Sequence, residues 1–81
     1  MLTKEICMRA THGTIFYHTQ LRNADRTPVR CRVNGKCKVW ITRPNDWALP
    51  VKHGLKQCFH ITPGNADEWA ITETAAIVEA P

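Results

Sequence analysis

Five side chains between residues 30 and 40 have the types that bind a phosphate backbone and a base. Four are cations and one is a tryptophan: Arg30, Arg32, Lys36, Lys38 and Trp40. Cations displace condensed counterions from phosphates, and an exposed indole stacks on a base, which contributes about 1–3 kcal/mol. We therefore predict a nucleic-acid-binding surface, which Arg43 and Lys52 would extend. In the alternative, Trp40 packs under residues 47–50 and the cations only solubilise an exposed sheet face.

These side chains share a surface if residues 28–42 form a β-hairpin. Asn34 and Gly35 stand between two alternating runs of β-branched residues, which is a strong hairpin signal. A two-residue loop would mix cationic and apolar side chains on both faces. A three-residue loop, with Gly35 in the left-handed conformation of a G1 bulge, pairs Cys31 with Cys37. The sequence favours this second register because it gives a face that can be buried, formed by Val29, Cys31, Cys37, Val39 and Ile41.

Four cysteines and four histidines raise the question of a metal site. The candidate zinc ligands are Cys31, Cys37, Cys58 and either His60 or His53. Structural zinc sites usually draw ligands from pairs such as Cys-x2-Cys, whereas the spacings here are Cys-x5-Cys and Cys-x-His. A cysteine on an apolar face also behaves as a small hydrophobic residue. The sequence therefore predicts free thiols, no bound metal and no cofactor.

The histidines also raise the question of catalysis. His12, His18, His53 and His60, with neighbouring lysines, offer the acid and base of a metal-independent ribonuclease. The chain has no Ser-His-Asp spacing, no Gly-rich phosphate loop and no paired His-Glu motif. We therefore predict a binding protein rather than an enzyme, with no catalytic residues.

The length and composition limit the architecture. A chain of 81 residues is expected to form a single domain, residues 1–81, with an ordered core at about 14–70. No apolar stretch approaches the ~20 residues that span a bilayer, and the N-terminus lacks the apolar segment of a signal peptide. These features predict a cytoplasmic protein with no membrane partner, in which cysteines stay reduced.

The charges are distributed unevenly along the chain. The cations between residues 29 and 66 are Arg30, Arg32, Lys36, Lys38, Arg43, Lys52 and Lys56, and the one acid there is Asp46. From residue 67 onward the charged residues are all acidic: Asp67, Glu68, Glu73 and Glu79. This pattern indicates a polyanionic partner or an acidic tail that folds back over the basic surface. A soluble surface without special meaning is the remaining alternative.

The pattern of β-branched residues predicts a mostly antiparallel fold. Residues 14–21 read as a strand, residues 22–28 as a turn, and the turn leads into the 28–42 hairpin. A fourth strand is expected at residues 55–61, and residues 70–81 fit either a strand or a helix. The predicted class is α+β, with a small antiparallel sheet of three to five short strands and one short helix near the C-terminus.

Breaks and anchors complete the predicted organisation. Residues 43–46 and Pro50 are expected to interrupt regular structure, and Thr62 to begin the short helix. Trp47 and Trp69 are expected to fill the core, because a small chain has few other large side chains.

Several short segments carry a resemblance to a known group of proteins. They are Arg22-Asn23-Ala24-Asp25, Val33-Asn34-Gly35-Lys36, Arg43-Pro44, Leu49-Pro50-Val51-Lys52-His53-Gly54-Leu55, and Ile61-Thr62 through Asn65-Ala66. From residue 22 to 69 the chain resembles small uncharacterised proteins encoded by phages and bacterial mobile elements. The resemblance implies a cytoplasmic accessory protein of a host cell and brings no activity or catalytic residues.

A second function fits the same sequence. An accessory protein of this kind would bind and modulate a host protein, adding a strand to its partner through an exposed sheet edge. Salt dependence separates the two hypotheses, because phosphate binding weakens steeply with salt whereas a largely apolar protein interface does not.

Overall fold

The structure is a computed structural model that describes residues 2–79. It contains a sheet of six antiparallel strands and two short α-helices. In chain order they are α1 (Lys4–Arg9), β1 (Ile15–Arg22), β2 (Pro28–Val33), β3 (Lys38–Trp40), β4 (Arg43–His53), β5 (Gln57–Ile61), a 3₁₀ helix (Ala66–Glu68), β6 (Trp69–Ala70) and α2 (Glu73–Glu79). The α+β class, the antiparallel sheet and the helix near the C-terminus are confirmed. The structure adds α1, and the expectations for residues 1, 80 and 81 lie outside the described residues.

The sheet is built from hairpins between consecutive strands and from two pairings between strands that are not consecutive, β2 with β4 and β1 with β6. β1 pairs with β2, β2 with β4, β3 with β4, and β4 with β5, all antiparallel. β6 joins the other side of β1, where Tyr17 faces Ala70 and His18 faces Trp69. The predicted turn between the first two strands is confirmed, since the Asn23 amide donates to the Thr27 carbonyl at 2.8 Å.

The predicted hairpin across residues 34 and 35 is wrong. β2 pairs with β1 on one side, as the predicted turn implies, but on the other side it pairs with β4, so that Arg32 faces Lys52 rather than Lys36. Gly35 does not adopt a positive φ, which among the described glycines occurs at positions 13 and 54. The chain reverses after β3, at residues 41 and 42.

Pro50 gives the physical reason for this difference. The Asn34 amide donates to the Pro50 carbonyl at 2.9 Å, continuing the β2–β4 ladder, but a proline has no N–H to donate in return. The ladder stops there, and pairing resumes where Lys38 faces Ala48. Gly35 fits beside the proline ring, because a Cβ at that position would lie 3.0 Å from Pro50 Cγ. The expected breaks at Pro50 and at residues 43–46 are also wrong, since both lie inside β4.

Alternating side chains build the core from one face of the sheet. Its buried members on β2 and β4 are Val29, Cys31, Val33, Trp47, Leu49 and Val51. The alternation predicted for β2 is therefore confirmed, whereas Val39 and Ile41, expected on the buried face, are exposed. Leu2 and Cys7 bring the α1 segment into the same cluster. Trp47 and Trp69 are both buried, as predicted.

Side-chain hydrogen bonds to the backbone accompany each helical segment. Thr3 Oγ1 accepts from the Ile6 amide at 3.2 Å and caps α1. The helix expected from Thr62 is reduced to the 3₁₀ turn, because the Asn65 side chain accepts from the Thr62 amide at 2.9 Å and closes a turn before it. Residues 73–79 form α2, and the Arg22 guanidinium donates to the Ala76 carbonyl at 3.5 Å. None of the helices within residues 2–79 has the length and apolar character that crossing a bilayer requires.

Candidate nucleic-acid interface

Three cations converge on one groove on the outer face of the sheet. Arg30 and Arg32 extend outward because their neighbours in β2 point into the core, and Lys52 stands directly opposite Arg32 on β4. The groove has a volume of about 270 Å³ and is lined by Ile15, Arg30, Arg32, Lys52, His53 and Gly54. We call these six residues the basic groove.

His53 ties the two strands of the basic groove together. Its Nδ1 lies 3.0 Å from the Arg30 carbonyl oxygen, and because a carbonyl only accepts, Nδ1 carries the proton. The next residue, Gly54, has φ +66°, a left-handed conformation that lets the chain turn away at the rim of the groove. The cations are therefore presented by paired strands rather than by a free loop.

The basic groove is electropositive because nothing acidic lines it. All six lining residues are cationic, neutral or apolar. Among residues 2–79 the recorded side-chain ion pair is Arg43 with Asp46, which lies elsewhere. Cations without carboxylate partners keep their field available for a polyanion, and low-dielectric groove walls concentrate that field.

Two other residues predicted to bind nucleic acid, Lys38 and Lys36, lie outside the basic groove. Lys38 faces Ala48 in β4. Because Ala48 and Lys52 are four residues apart in the same strand, their side chains point to the same outer face of the sheet, and so does that of Lys38. Lys36 belongs to the connection between β2 and β3 and lines a separate groove beside the end of α1, with Met8, Arg9, Ala10, Thr11, His12, Gly35 and Cys37. The single continuous face expected from the sequence therefore does not form.

Trp40 and Arg43 meet at the turn between β3 and β4. The Arg43 guanidinium carbon lies 5.7 Å from the centre of the Trp40 ring. Trp40 is 40% exposed and lines a recess together with Trp47 and Ala48, so it lies beside these residues without being buried under them. The indole is therefore partly exposed, with the Arg43 guanidinium over its ring.

Sequence reasoning missed two contributors to the basic groove. His53 was assigned to a turn, although it ends β4, and Ile15 was not considered because it belongs to a different strand from the cations. Alternation along β1 could have identified Ile15, because it places Ile15 and Tyr17 on the sheet face opposite the buried Phe16. These two side chains face Arg32 and Arg30 across the β1–β2 ladder.

The candidate zinc ligands Cys31 and Cys58 are not brought together. Cys31 is buried on the core face, whereas Cys58 faces Lys52 on the outer side. Burial raises the pKa of Cys7 to about 12 and that of Cys31 to about 11, so both stay protonated thiols at neutral pH. No group of three or more His, Cys, Asp or Glu side chains among residues 2–79 is arranged to hold a metal ion.

The thiol prediction leads to a direct measurement. Protein purified without chelators should contain far less than one equivalent of zinc by elemental analysis, and a chelator should leave its unfolding temperature unchanged. The reason is that Cys31 and Cys58 lie on opposite faces of the sheet and the two most buried thiols resist deprotonation. One equivalent of zinc, lost together with the fold on chelation, would contradict this prediction.

Fold and site together define a small α+β protein that carries a basic groove on the open face of an antiparallel sheet. Comparison of the chain with protein-family models, with curated proteins and with solved structures found no match. Its function therefore has to be inferred from the side chains themselves.

Proposed function

We propose that this protein is a non-enzymatic, cytoplasmic nucleic-acid-binding protein whose phosphate-binding site is the basic groove. The observation that carries the proposal is the convergence of Arg30, Arg32 and Lys52 on one groove without a lining carboxylate. Arginine forms bidentate hydrogen bonds with phosphate oxygens, and a lysine adds a point charge. Lys38 on the same sheet face extends the track along β4.

Salt dependence provides the test. Each phosphate contact that is lost should reduce the slope of log affinity against log salt by about 0.7–0.9. Arg30→Ala, Arg32→Ala and Lys52→Ala should each weaken binding and reduce the slope by about that amount. Because these are surface positions, each variant should keep its stability within about 0.5 kcal/mol of the parent. Fluorescence anisotropy with single-stranded DNA and RNA at several salt concentrations measures both quantities.

Arg26→Asn is the matched control. Arg26 is exposed in the β1–β2 turn, outside the basic groove, and has φ +70°, a conformation that asparagine tolerates. The variant loses one positive charge, as the groove variants do, but should retain the parent salt slope. Absence of binding by the parent protein at low salt, or equal losses in Arg26→Asn and Arg32→Ala, would overturn the proposal.

An accessory protein that binds a host protein is the second candidate. It is favoured by the edge of the sheet at β5, which within residues 2–79 pairs only with β4 and leaves its other side open for a partner strand. The resemblance to phage and mobile-element proteins supports the same idea. Capture of a protein from lysate that survives both nuclease and high salt would favour this candidate over the first.

A further inference from the structure

A second recess lies near the basic groove, between the β3–β4 turn and residues 62–64. It has a volume of about 310 Å³, at the lower end of the range typical of small-ligand clefts. Its lining includes two indole rings, a carboxylate and a guanidinium, from Trp40, Trp47, Asp46 and Arg43. Ala48 and Pro63 contribute apolar surface. We call it the tryptophan recess.

The present partners in the tryptophan recess are held weakly. The Arg43–Asp46 ion pair spans 3.4 Å between side chains that are 65% and 49% exposed, and such pairs contribute little to stability. The contact of Arg43 with the Trp40 ring is likewise a surface cation–π contact. Stacking of a base on an indole is the stronger interaction. A base can therefore displace Arg43 from the ring, and the freed guanidinium can then bind a phosphate.

The carboxylate gives the recess a preference among bases. Guanine presents two adjacent donors, N1–H and the N2 amino group, which match the two oxygens of a carboxylate. Uracil and thymine present a single N–H between two carbonyl oxygens, which the Asp46 carboxylate would repel. A base that both stacks on Trp40 and offers this edge to Asp46 must be unpaired, since in a duplex its faces and its pairing edge are occupied.

We propose that the tryptophan recess binds one unpaired guanine, so that the ligand of this protein is a single strand rather than a duplex. This inference rests on the proposed function, because the basic groove supplies the phosphate contacts. Ala48 of the recess and Lys52 of the groove lie on the same face of β4, about 13 Å apart along the strand. A short oligonucleotide reaches both.

The stacking contact is tested with short single-stranded RNAs that differ only in one central base, guanine or uracil. Trp40→Ala should lower affinity for the guanine oligonucleotide by about 5- to 150-fold without changing the salt slope, since stacking releases no counterions. Ile41→Ala is the control, because Ile41 is the adjacent apolar residue, is 99% exposed and does not line the recess. It should bind like the parent protein.

Tryptophan fluorescence gives a second readout of the same contact. Trp40 is 40% exposed, whereas Trp47, which also lines the recess, is 6% exposed and Trp69 is 2% exposed. The guanine oligonucleotide should therefore quench the emission of the parent protein, and most of that quenching should be lost in Trp40→Phe. Equal quenching in both proteins would show that the base stacks elsewhere and would overturn the inference.

The carboxylate is tested by two variants with the same change in charge. Asp46→Asn and Asp67→Asn each remove one negative charge, and Asp67 is exposed and outside the recess. General electrostatics would make both variants bind any oligonucleotide slightly more tightly. If Asp46 accepts from guanine, Asp46→Asn should instead bind the guanine oligonucleotide more weakly and lose most of its preference over uracil, while Asp67→Asn keeps that preference.

The outcomes distinguish the two proposals. No binding of any oligonucleotide by the parent protein at low salt overturns the proposed function itself. A second outcome is salt-dependent binding that is equally strong for duplex and single strand and that is unchanged in Trp40→Ala and in Asp46→Asn. This outcome would support the basic groove as the phosphate site and overturn the tryptophan recess as a base site.

Discussion

Replacing Trp69 with alanine should destabilise the protein by about 3–5 kcal/mol, a large part of the total stability of so small a chain. Trp69 is 2% exposed and packs between two aromatic rings, with His18 at 4.8 Å and Phe59 at 6.2 Å between ring centroids. Removing the indole leaves a cavity where β1, β5 and β6 meet. Urea unfolding followed by circular dichroism measures the loss.

Trp69→Phe separates the volume of the ring from its N–H group. Among the described residues the indole Nε1 is buried without a hydrogen-bond acceptor, and an unsatisfied buried donor carries a desolvation penalty of about 1–3 kcal/mol. Phenylalanine removes that donor and keeps an aromatic ring against the same neighbours. We therefore expect Trp69→Phe to cost much less than Trp69→Ala, and equal losses in the two variants would contradict this account.

Acid should destabilise the protein through His18. This side chain is 8% exposed, and its Nδ1 accepts from the amides of Gln20 at 3.1 Å and Leu21 at 3.0 Å, which requires an unprotonated Nδ1. Burial lowers its pKa below the ordinary value of 6.5, the charge of Arg22 lowers it further, and Glu68 partly opposes the shift.

The direction of the pH effect follows from proton binding. Below pH 6.5 His18 becomes protonated in the unfolded chain, whereas in the folded protein it stays neutral until the pH reaches its lowered pKa. The free energy of unfolding therefore decreases as the pH falls from 6.5 toward the folded pKa of His18. The contribution is absent above pH 6.5, and its slope is at most about 1.4 kcal/mol per pH unit. Urea unfolding of the parent protein at pH 7.5 and 5.5 should show the loss.

His18→Asn should remove most of this pH dependence. Asparagine does not titrate, and its side-chain oxygen can accept from an amide two residues later, as His18 does from Gln20. His12→Asn is the control, because His12 is exposed and its replacement should leave the parent pH dependence intact. An unchanged dependence in His18→Asn would show that other groups cause it.

The sequence was sufficient for features that depend on local patterns. Alternation along β2 predicted that Arg30 and Arg32 are exposed and Cys31 is buried, and the size of Trp47 and Trp69 predicted that they fill the core. The turn between β1 and β2 was predicted from side chains that bond to the nearby backbone, and the Asp25 carboxylate does accept from the Thr27 amide at 3.1 Å.

The pairing of β2 with β4 was not predictable from the same patterns, although that of β1 with β2 followed from the predicted turn. Asn34 and Gly35 have strong turn propensity, but the pairing of Val33 with Val51 places β2 beside β4, a strand in which Trp47, Leu49 and Val51 are buried. Burying that face contributes more than one favourable turn, so the non-local pairing wins. For this reason the residues expected on one continuous face are divided: Arg32 and Lys52 face each other, whereas Lys36 and Trp40 lie apart from them.

The pairing of β1 with β6 has a consequence for how the chain acquires its structure. Tyr17 faces Ala70, so β1 pairs with a strand more than fifty residues later in the chain, whereas each hairpin between consecutive strands closes a short loop. The entropic cost of closing the loop is therefore larger for the β1–β6 pairing. Microsecond hairpins should therefore precede a slower final step in which the last strand docks. On the ribosome, the open edge of β1 stays a site for mispairing until Trp69 and Ala70 have emerged from the exit tunnel.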